Sequence, residues 1–387
     1  MDGFLGRAIE LRRSLHANPR IFGEEADTAL RLRRALRDPD GQASVTSVAG
    51  TGFLHRIGPA GPAVGVRAEL DALPILEQTG VTWASTNGAM HACGHDVHMA
   101  ATWALLRACR GMELPVGLVG IFQPREEGQP SGAKDILTSG ALHAEDVRAV
   151  IGAHVQPRLP QGVISTGVGG VNAAADEFEI VLHGYGGHGA YPHVTVDPIA
   201  MLGAVLSGLH QIVSRTIDPT HPAVITVGQV HAGTAPNVIP SQATISGIIR
   251  ATDEGDRRRM HEDIRRLAQY TASARGGTAE VTITTGDPVL ANNRSLVRSV
   301  DPLIEAAGLP LAAEPFRSCG ADDFSHYGEL APILMMFVGT GPGPSSDGRH
   351  EVGLHHAEFL PGEDSIRHTA LALAAGYVGA ASVLGGI

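Results

Sequence analysis

Continuous apolar runs alternate with helical patterns through the first half of the chain, and this alternation limits the folds that the chain can adopt. Strand candidates occur at 63–67, 116–122 and 149–153, and a further apolar run occupies 333–338 near the C-terminus. Strands that are apolar on both faces and separated by helices are typical of a parallel sheet covered on both sides. The pattern therefore predicts an α/β fold with a mostly parallel sheet.

The pattern changes between residues 171 and 286, where strand candidates alternate apolar and polar residues. Helical periodicity at 198–215 and 257–274 divides these strands into the order β-α-β-β-α-β. This is the order of a small ferredoxin-like α+β domain. We therefore predict one larger α/β domain formed by residues 1–170 and 287–387, with a ferredoxin-like domain inserted at 171–286.

The composition argues against several classes of protein. The formal net charge is −11, spread along the sequence without acidic runs, which argues against a nucleic-acid partner because binding to a nucleic-acid backbone needs a basic face. Three cysteines are too few for a disulfide framework and fit a reducing compartment. The uncharged segment 369–387 approaches the length of a membrane span, but it is built mainly of Ala, Gly and Val and favours a buried helix. Since the first residues also lack a signal-peptide core, we expect a cytoplasmic protein without a membrane partner.

The segment AMHACGHDVH, residues 89–98, gathers three histidines, a cysteine and an aspartate within ten positions. Cys93 and His95 are two positions apart, so an extended or loop backbone places them on the same side. A helix is predicted to begin directly afterwards, and its N-terminus would favour the thiolate of Cys93. Thiolate and neutral imidazole both bind zinc and related divalent ions. Taken alone, the segment is explained equally well as a structural cluster beside a buried helix.

Similar side chains follow other predicted strands. Asp71, the pair Glu126-Glu127, His154 and the histidine pair that begins at His355 each stand at or just beyond the end of an apolar run. Binding sites in parallel α/β sheets form outside the carboxyl ends of the strands. We therefore expect these side chains to converge on one metal site.

The adjacent carboxylates Glu126 and Glu127 are the most informative pair. Their mutual repulsion is tolerated where cations offset it, and one of them can bind metal while the other faces a metal-bound water. A solvated acidic turn is the alternative explanation for this pair. We expect Asp71, Asp96 and His98 to hold the metal ligands in place rather than to bind the metal.

The motifs RAELDALPI, MHACGHDVHMA, IFQPREEG, GAHV, GYGGHGAYPH, AGTAPNVIP and GLHHAEF occur in this order across nearly the whole chain. Together they resemble the aminoacylase/carboxypeptidase family of two-metal peptidases. The resemblance is greatest to its amidohydrolase subfamily, the hippurate hydrolases, aminoacylases and auxin–amino-acid conjugate hydrolases. It implies a catalytic α/β domain with an inserted ferredoxin-like domain that serves as a lid and in dimerisation.

The resemblance also implies the residues that hold a pair of divalent metal ions. These implied ligands are Cys93, His95, Glu127, His154 and His355. The motif LHHAEF has Ala357 where the family usually has proline, so His356 remains an alternative to His355. The implied ions are Zn²⁺ or Mn²⁺, with Co²⁺ or Ni²⁺ as further possibilities, because a mixed sulfur, nitrogen and oxygen site accommodates several metals.

Catalytic and substrate-binding roles follow from the same resemblance. Glu126 corresponds to the general base, and His188 resembles a lid histidine that polarises the scissile carbonyl, often from the other subunit of a dimer. Asn237 and Arg250 match positions near the carboxylate of the substrate. These matches imply a metal-dependent amidohydrolase that cleaves N-acyl amino acids or related conjugates with a metal-activated water, acts on a small molecule and forms a homodimer through the lid domain.

Three alternatives remain open on the sequence alone. A dipeptidase or N-carbamoyl-amino-acid hydrolase would use the same metals with a different pocket. A cysteine-nucleophile amidase would depend on Cys93 as the attacking group and would resist chelators. A non-catalytic binding protein would keep the fold, although such proteins are expected to lose Glu126 or a metal ligand.

Overall fold

The computed structural model describes residues 2–37, 43–341 and 352–385. Its strands, numbered in chain order, are β1 (Ser44–Val48), β2 (Gly52–Ile57), β3 (Ala63–Glu69), β4 (Gly117–Gln123), β5 (Val147–Pro160), β6 (Ile164–Ser165), β7 (Gly169–Asn172), β8 (Ala174–His183), β9 (Gly187–His188), β10 (Ala223–Ala232), β11 (Val238–Ile239), β12 (Gln242–Ala251), β13 (Thr278–Thr285), β14 (Leu290–Asn292) and β15 (Ile333–Gly341).

The helices are also numbered in chain order. They are α1 (Asp2–His16), α2 (Ala26–Ala35), α3 (His95–Cys109), α4 (Gly132–Thr138), α5 (Ala141–Ala144), α6 (Pro198–Thr216), α7 (Glu254–Ser273), α8 (Arg294–Ala306) and α9 (Asp364–Val383). Short 3₁₀ helices occur at Pro192–Val194 and Asp323–Glu329.

The chain divides into two compact units. The larger unit comprises Met1–Gly169, Ala291–Phe316 and Asp323–Ile387, and the smaller comprises Gly170–Leu290 and Arg317–Asp322. That an independently folding domain begins after residue 170 and ends at residue 286 stays a prediction.

A seven-stranded sheet with the order β1-β2-β4-β3-β5-β15-β6 forms the centre of the larger unit. Its four central strands, β4, β3, β5 and β15, are parallel to one another. The strands β1, β2 and β6 run antiparallel to their neighbours at the two edges. All residues of β3 and β4 are buried, as expected for strands that are covered on both faces. The predicted α/β fold with a mostly parallel central sheet is confirmed.

Helices α3 and α9 pack against the central sheet. The side chains of α3 are buried from His95 to Leu106, and α3 packs against α1, α9 and the central strands. Full burial of an aliphatic or aromatic side chain contributes about 1.5–3 kcal/mol, so this helix and the turn that precedes it are firmly anchored. The helix α9 is buried along most of its length, in agreement with the prediction for segment 369–387, of which residues 386–387 lie outside the described part of the chain. Among the described residues, no helix has both the length and the apolar character needed to cross a bilayer.

The strand register brings several polar residues to one level at the carboxyl edge of the sheet. Glu69 in β3 pairs with Gln123 in β4, and Arg67 pairs with Gly152 in β5. His154, two residues beyond Gly152, therefore lies at the level of Glu69. The strand β5 continues past His154, where the sequence pattern predicts its end, because β15 continues to pair alongside it.

The smaller unit contains a four-stranded antiparallel sheet with the order β10-β12-β8-β13. Along the chain its elements follow as β8-α6-β10-β12-α7-β13, which is the predicted β-α-β-β-α-β order. Alternate residues of β8 pack with the apolar sides of α6 and α7 in a separate core. The role of this unit as a lid stays a prediction.

Candidate metal centre

Four of the five predicted metal ligands lie in direct contact in the larger unit. The Sγ atom of Cys93 is 3.5 Å from Nε2 of His154 and 3.3 Å from Nε2 of His355. Oε1 of Glu127 lies 3.2 Å from the same nitrogen of His355. A sulfur at about 2.3 Å and a nitrogen at about 2.05 Å from one tetrahedral zinc ion would be separated by roughly 3.6 Å. The observed spacing therefore suits a divalent cation.

The fifth predicted ligand, His95, presents one ring nitrogen to the same cluster. Its Nδ1 lies 2.9 Å from the backbone oxygen of Asp71, while its Nε2 is 3.6 Å from Oε2 of Glu126. This Nε2 is buried and makes no hydrogen bond within the described part of the chain. A buried polar atom normally has a partner, so the position suits a bound cation. Cys93, His95 and His154 form one group that could hold a metal ion, and Cys93, Glu127 and His355 form another.

Backbone carbonyls fix the orientation of two of the candidate ligands. His95 donates from Nδ1 to Asp71, and His154 donates from Nδ1 to the carbonyl of Val155 at 2.7 Å. In a neutral imidazole that donates from Nδ1, the lone pair is on Nε2, which is the arrangement of most metal-binding histidines. The Oδ2 atom of Asp71 also accepts the backbone N–H of Glu127 at 2.8 Å. Asp71 thus contacts two candidate ligands, and its role in holding them stays a prediction.

Carboxylates dominate the electrostatics of the cluster. Burial alone would lower the pKa of His95, but Glu69, Asp71 and Glu127 outweigh burial and raise this pKa to about 10. Burial lowers the pKa of His154 to about 3, which keeps its imidazole neutral, as metal binding requires. Without a metal ion, the carboxylates therefore give the cluster a surplus of negative charge around its histidine rings. This surplus favours the binding of cations.

The thiol of Cys93 differs from the sequence-based expectation. The N-terminus of α3 was expected to favour the thiolate, but burial raises the pKa of Cys93 well above its usual range, and Glu127 and Glu126 raise it further. Burial would also raise the pKa of Glu127, but the imidazoles of His355 and His95 lower it. A protonated thiol is a poor nucleophile, which argues against the cysteine-amidase alternative.

The two C-terminal histidines, His355 and His356, make different contacts. His355 has a left-handed backbone, with φ of 64°, and its N–H donates to the carbonyl of Ala92 at 2.9 Å. This conformation directs His355 towards Cys93. His356 instead accepts the backbone N–H of Glu358 on its Nδ1, although the side chains of both histidines are equally exposed. His355 therefore contacts the cluster and His356 does not in these contacts, while the assignment of His355 as a metal ligand stays a prediction.

His98 and Asp96, both predicted to hold ligands in place, have different surroundings. The His98 ring lies 4.7 Å from the ring of His154, centroid to centroid, and is fully buried. Asp96 accepts hydrogen bonds from Nε of Arg12 and from Nδ1 of His16, both at 2.9 Å. It thus connects α3 to α1, and these bonds do not include a candidate ligand. His98 therefore lies beside a candidate ligand and Asp96 beside α1, while the predicted roles of both in holding ligands stay predictions.

Glu25 is a residue of this site that sequence reasoning missed. It is fully buried, and its Oε1 accepts the backbone N–H groups of Gly23 at 2.7 Å and Arg125 at 3.0 Å. Its Oε2 accepts the hydroxyl of Thr51 at 2.8 Å. Arg125 has a φ of 53°, in the left-handed region, directly before Glu126. Glu25 therefore stabilises the unusual turn that presents the two adjacent carboxylates, and no local motif marks it in the sequence.

Three predicted site residues belong to the smaller unit, and only two of them are neighbours. His188 lies in β9, and the following Gly189 donates its N–H to the carbonyl of Asn237 at 2.8 Å. Arg250 lies eight residues beyond Gln242 along β12, which corresponds to roughly 26 Å at the usual rise of a strand. Within this unit, His188 and Asn237 are therefore at one end of the sheet and Arg250 is at the other.

Comparisons with known proteins agree with this geometry. Residues 65–375 match the peptidase family M20/M25/M40. The chain is 35% identical over 368 residues to the N-acetylcysteine deacetylase of Bacillus subtilis, a match that covers 94% of each chain. It is 34% identical over 342 residues to thermostable carboxypeptidase 2 of Saccharolobus solfataricus, across 86% of this chain and 85% of the relative.

A solved structure extends the similarity to the whole fold. A Bacillus subtilis protein described as a dinuclear metal binding peptidase from the M20 family superposes with a TM-score of 0.84 at 31% identity, and the match covers 100% of both chains. These matches confirm the predicted family and the prediction of a metallopeptidase-class enzyme that hydrolyses C–N bonds. The chain belongs to peptidase family M20/M25/M40.

Proposed function

We propose that this enzyme uses two divalent metal ions to hydrolyse the amide bond of N-acyl amino acids or closely related amino-acid conjugates. The observation that carries the proposal is the convergence of five ligand-type side chains beside a further carboxylate, Glu126. The name of one relative, an N-acetylcysteine deacetylase, supports an N-acyl amino acid as the substrate class.

The residues that would hold the ions are Cys93, His95, Glu127, His154 and His355. When bound, the ions would lower the pKa of water and polarise the scissile carbonyl. Sulfur, nitrogen and oxygen donors together suit Zn²⁺ or Mn²⁺, and also Co²⁺ or Ni²⁺, so metal supply contributes to the choice. The several carboxylates around His95 support the binding of two divalent ions rather than one, because together they can offset more positive charge than a single ion carries.

Glu126 is the proposed general base. Its Oε2 is 3.6 Å from Nε2 of His95, while the adjacent Glu127 contacts His355. One oxygen of each carboxylate and a ring nitrogen of His95 also lie within 4.8 Å of one another, so both glutamates border the same cluster. Glu126 would accept a proton from the water that attacks the carbonyl carbon. The same carboxyl group would then deliver this proton to the nitrogen of the departing amine as the C–N bond breaks.

The smaller unit would contribute groups that bind and polarise the substrate. We propose that His188 donates a hydrogen bond to the developing oxyanion and that Arg250 and Asn237 bind the free carboxylate. Because Asn237 and Arg250 lie at opposite ends of one sheet, a single small substrate cannot reach both within one copy of this unit. This separation supports a homodimer in which His188 and Asn237 act on the substrate held by the partner subunit.

Metal analysis of purified protein combined with a substrate panel tests the proposal. The panel compares acetyl, benzoyl, carbamoyl and aminoacyl derivatives of the same amino acids. We expect two metal ions per chain, loss of turnover with a chelator, and the highest kcat/KM on an acetyl or benzoyl derivative. Preference for aminoacyl or carbamoyl derivatives would instead identify a peptidase or carbamoylase, a possibility consistent with the carboxypeptidase among the relatives. Chelator-resistant activity that thiol alkylation abolishes would favour Cys93 as the nucleophile, and no turnover on any derivative would favour a binding protein.

A further inference from the structure

Glu69 is a buried carboxylate at the carboxyl end of β3 to which the proposed mechanism gives no role. It is 1% exposed, forms an ion pair with Arg67, and accepts a hydrogen bond from Nδ1 of His98 at 2.9 Å. Burial of a carboxylate is costly unless its partners are well placed. These partners therefore fix the position of Glu69 and, through it, the position of His98.

His98 lies between Glu69 and the backbone of Val155. The N–H of Val155 donates to Nε2 of His98 at 2.9 Å, so this nitrogen must carry the lone pair. The proton of the neutral ring is then on Nδ1, where Glu69 accepts it. Loss of the Glu69 carboxylate would remove one of the two hydrogen bonds that favour this tautomer and would weaken the other, from Val155.

Val155 contacts both His154 and the turn that joins Cys93 to His95. Its carbonyl accepts the Nδ1 proton of His154, whose Nε2 is 3.5 Å from Sγ of Cys93. Its side chain also packs against Gly94, where an added Cβ would lie 2.3 Å from Cγ2 of Val155. A shift of Val155 would therefore move His154 and also the turn that joins Cys93 to His95.

We propose that Glu69 is a positioning residue that acts through His98 and the backbone of Val155 to hold His154 at the distance from Cys93 that a divalent cation requires. The inference rests on the proposed metal centre. The competing explanation is that Glu69 acts only through its negative charge, which would attract a cation without any need for His98.

Three variants of the full chain distinguish these explanations. Glu69→Asp keeps the charge but shortens the reach to His98, and His98→Asn keeps a donor towards Glu69 but cannot reach Val155. The third variant combines both changes. The measurement is the affinity for Zn²⁺ in competition with a chromophoric chelator. We expect each single variant to lose about tenfold to a hundredfold in affinity. The double variant should lose no more than the larger single loss, because the two residues act in series. Partial recovery in His98→Gln, whose amide oxygen can replace Nε2, is also expected.

Asp176→Asn provides a matched control in the smaller unit. Asp176 is 2% exposed and, like Glu69, has an arginine and a histidine as partners, Arg257 and His261. This variant should lower stability and leave the Zn²⁺ affinity unchanged. Wild-type affinity in both Glu69→Asp and His98→Asn would overturn the inference, whatever their stability, and so would additive losses in the double variant. Failure of the unsubstituted chain to bind Zn²⁺ would overturn the proposed function as well, so the two failures are distinguishable.

Discussion

Replacement of Gly94 by alanine should damage the fold and the candidate metal centre together. Gly94 precedes α3, lies between Cys93 and His95, and has a φ of 84°, in the left-handed region. An alanine side chain at this position would place its Cβ 2.3 Å from Cγ2 of Val155, well inside van der Waals contact. Because Val155 is buried in the central sheet and its backbone binds His98 and His154, it cannot move without cost.

Two contributions determine the size of this effect. A left-handed conformation costs about 1–2 kcal/mol for a residue with a Cβ atom, and an overpacked contact in a well-packed core costs about 1–3 kcal/mol more. Gly94→Ala should therefore lower the free energy of unfolding by about 2–5 kcal/mol. Gly111 supplies the control, since its φ is 78° and an added Cβ would meet no atom within 4 Å. Gly111→Ala should cost only the backbone contribution, about 1–2 kcal/mol.

Chemical denaturation of both variants, with and without Zn²⁺, measures these differences. We expect Gly94→Ala to unfold at lower denaturant concentration than Gly111→Ala and to lose the stabilisation that Zn²⁺ gives to the unsubstituted chain. Equal stability of the two variants, together with unchanged Zn²⁺ affinity in Gly94→Ala, would refute the packing of this turn against Val155.

Four further predictions concern individual residues. Glu126→Gln should keep the metal content of the unsubstituted chain and lower kcat by about 10²–10⁴-fold, as metal analysis and steady-state kinetics would show. His355→Ala should reduce the bound metal, whereas His356→Ala should not, and equal losses in the two would contradict the assigned contacts. Metal binding should release protons at neutral pH because the raised pKa keeps the thiol of Cys93 protonated beforehand, which calorimetry in buffers of different ionisation enthalpy can detect. Burial would raise the pKa of Asp176, but its hydrogen-bonded basic partners lower this pKa in the folded state. The contribution of Asp176 to stability is therefore present above the unfolded pKa of about 3.9 and disappears as the pH falls through the lowered folded pKa. Denaturation below pH 4 should depend less on pH in Asp176→Asn than in the unsubstituted chain.

The parallel centre of the larger sheet was predictable because its strands are apolar on both faces. The edge strands lack this signal: all but the last residue of β1 are exposed, and its sequence SVTSV resembles a loop as much as a strand. The end of β5 was also misplaced, since the pairing that extends it past His154 comes from β15, which lies more than 170 residues later in the chain. Local patterns report burial, whereas edge pairing depends on contacts that are distant in sequence.

The candidate ligands were predictable for a related reason. Cys93, Glu127 and His154 adjoin or lie in buried elements of a parallel sheet, and the carboxyl ends of such strands meet at one edge. The supporting residues were harder to identify, because their roles depend on directions in space. Asp96 lies next to His95 in sequence, but its side chain faces α1 instead of the cluster. Glu25 supports the turn at Arg125 from 100 positions away, and the sequence around Glu25 does not indicate this contact.

Anomalous X-ray diffraction from crystals of the full chain grown with Zn²⁺ or Mn²⁺ tests the metal centre most directly. The account predicts two anomalous peaks per chain, each at about 2.0–2.3 Å from side-chain atoms of the set Cys93, His95, Glu127, His154 and His355. The absence of peaks at this cluster, or peaks bound only by other residues, would contradict it.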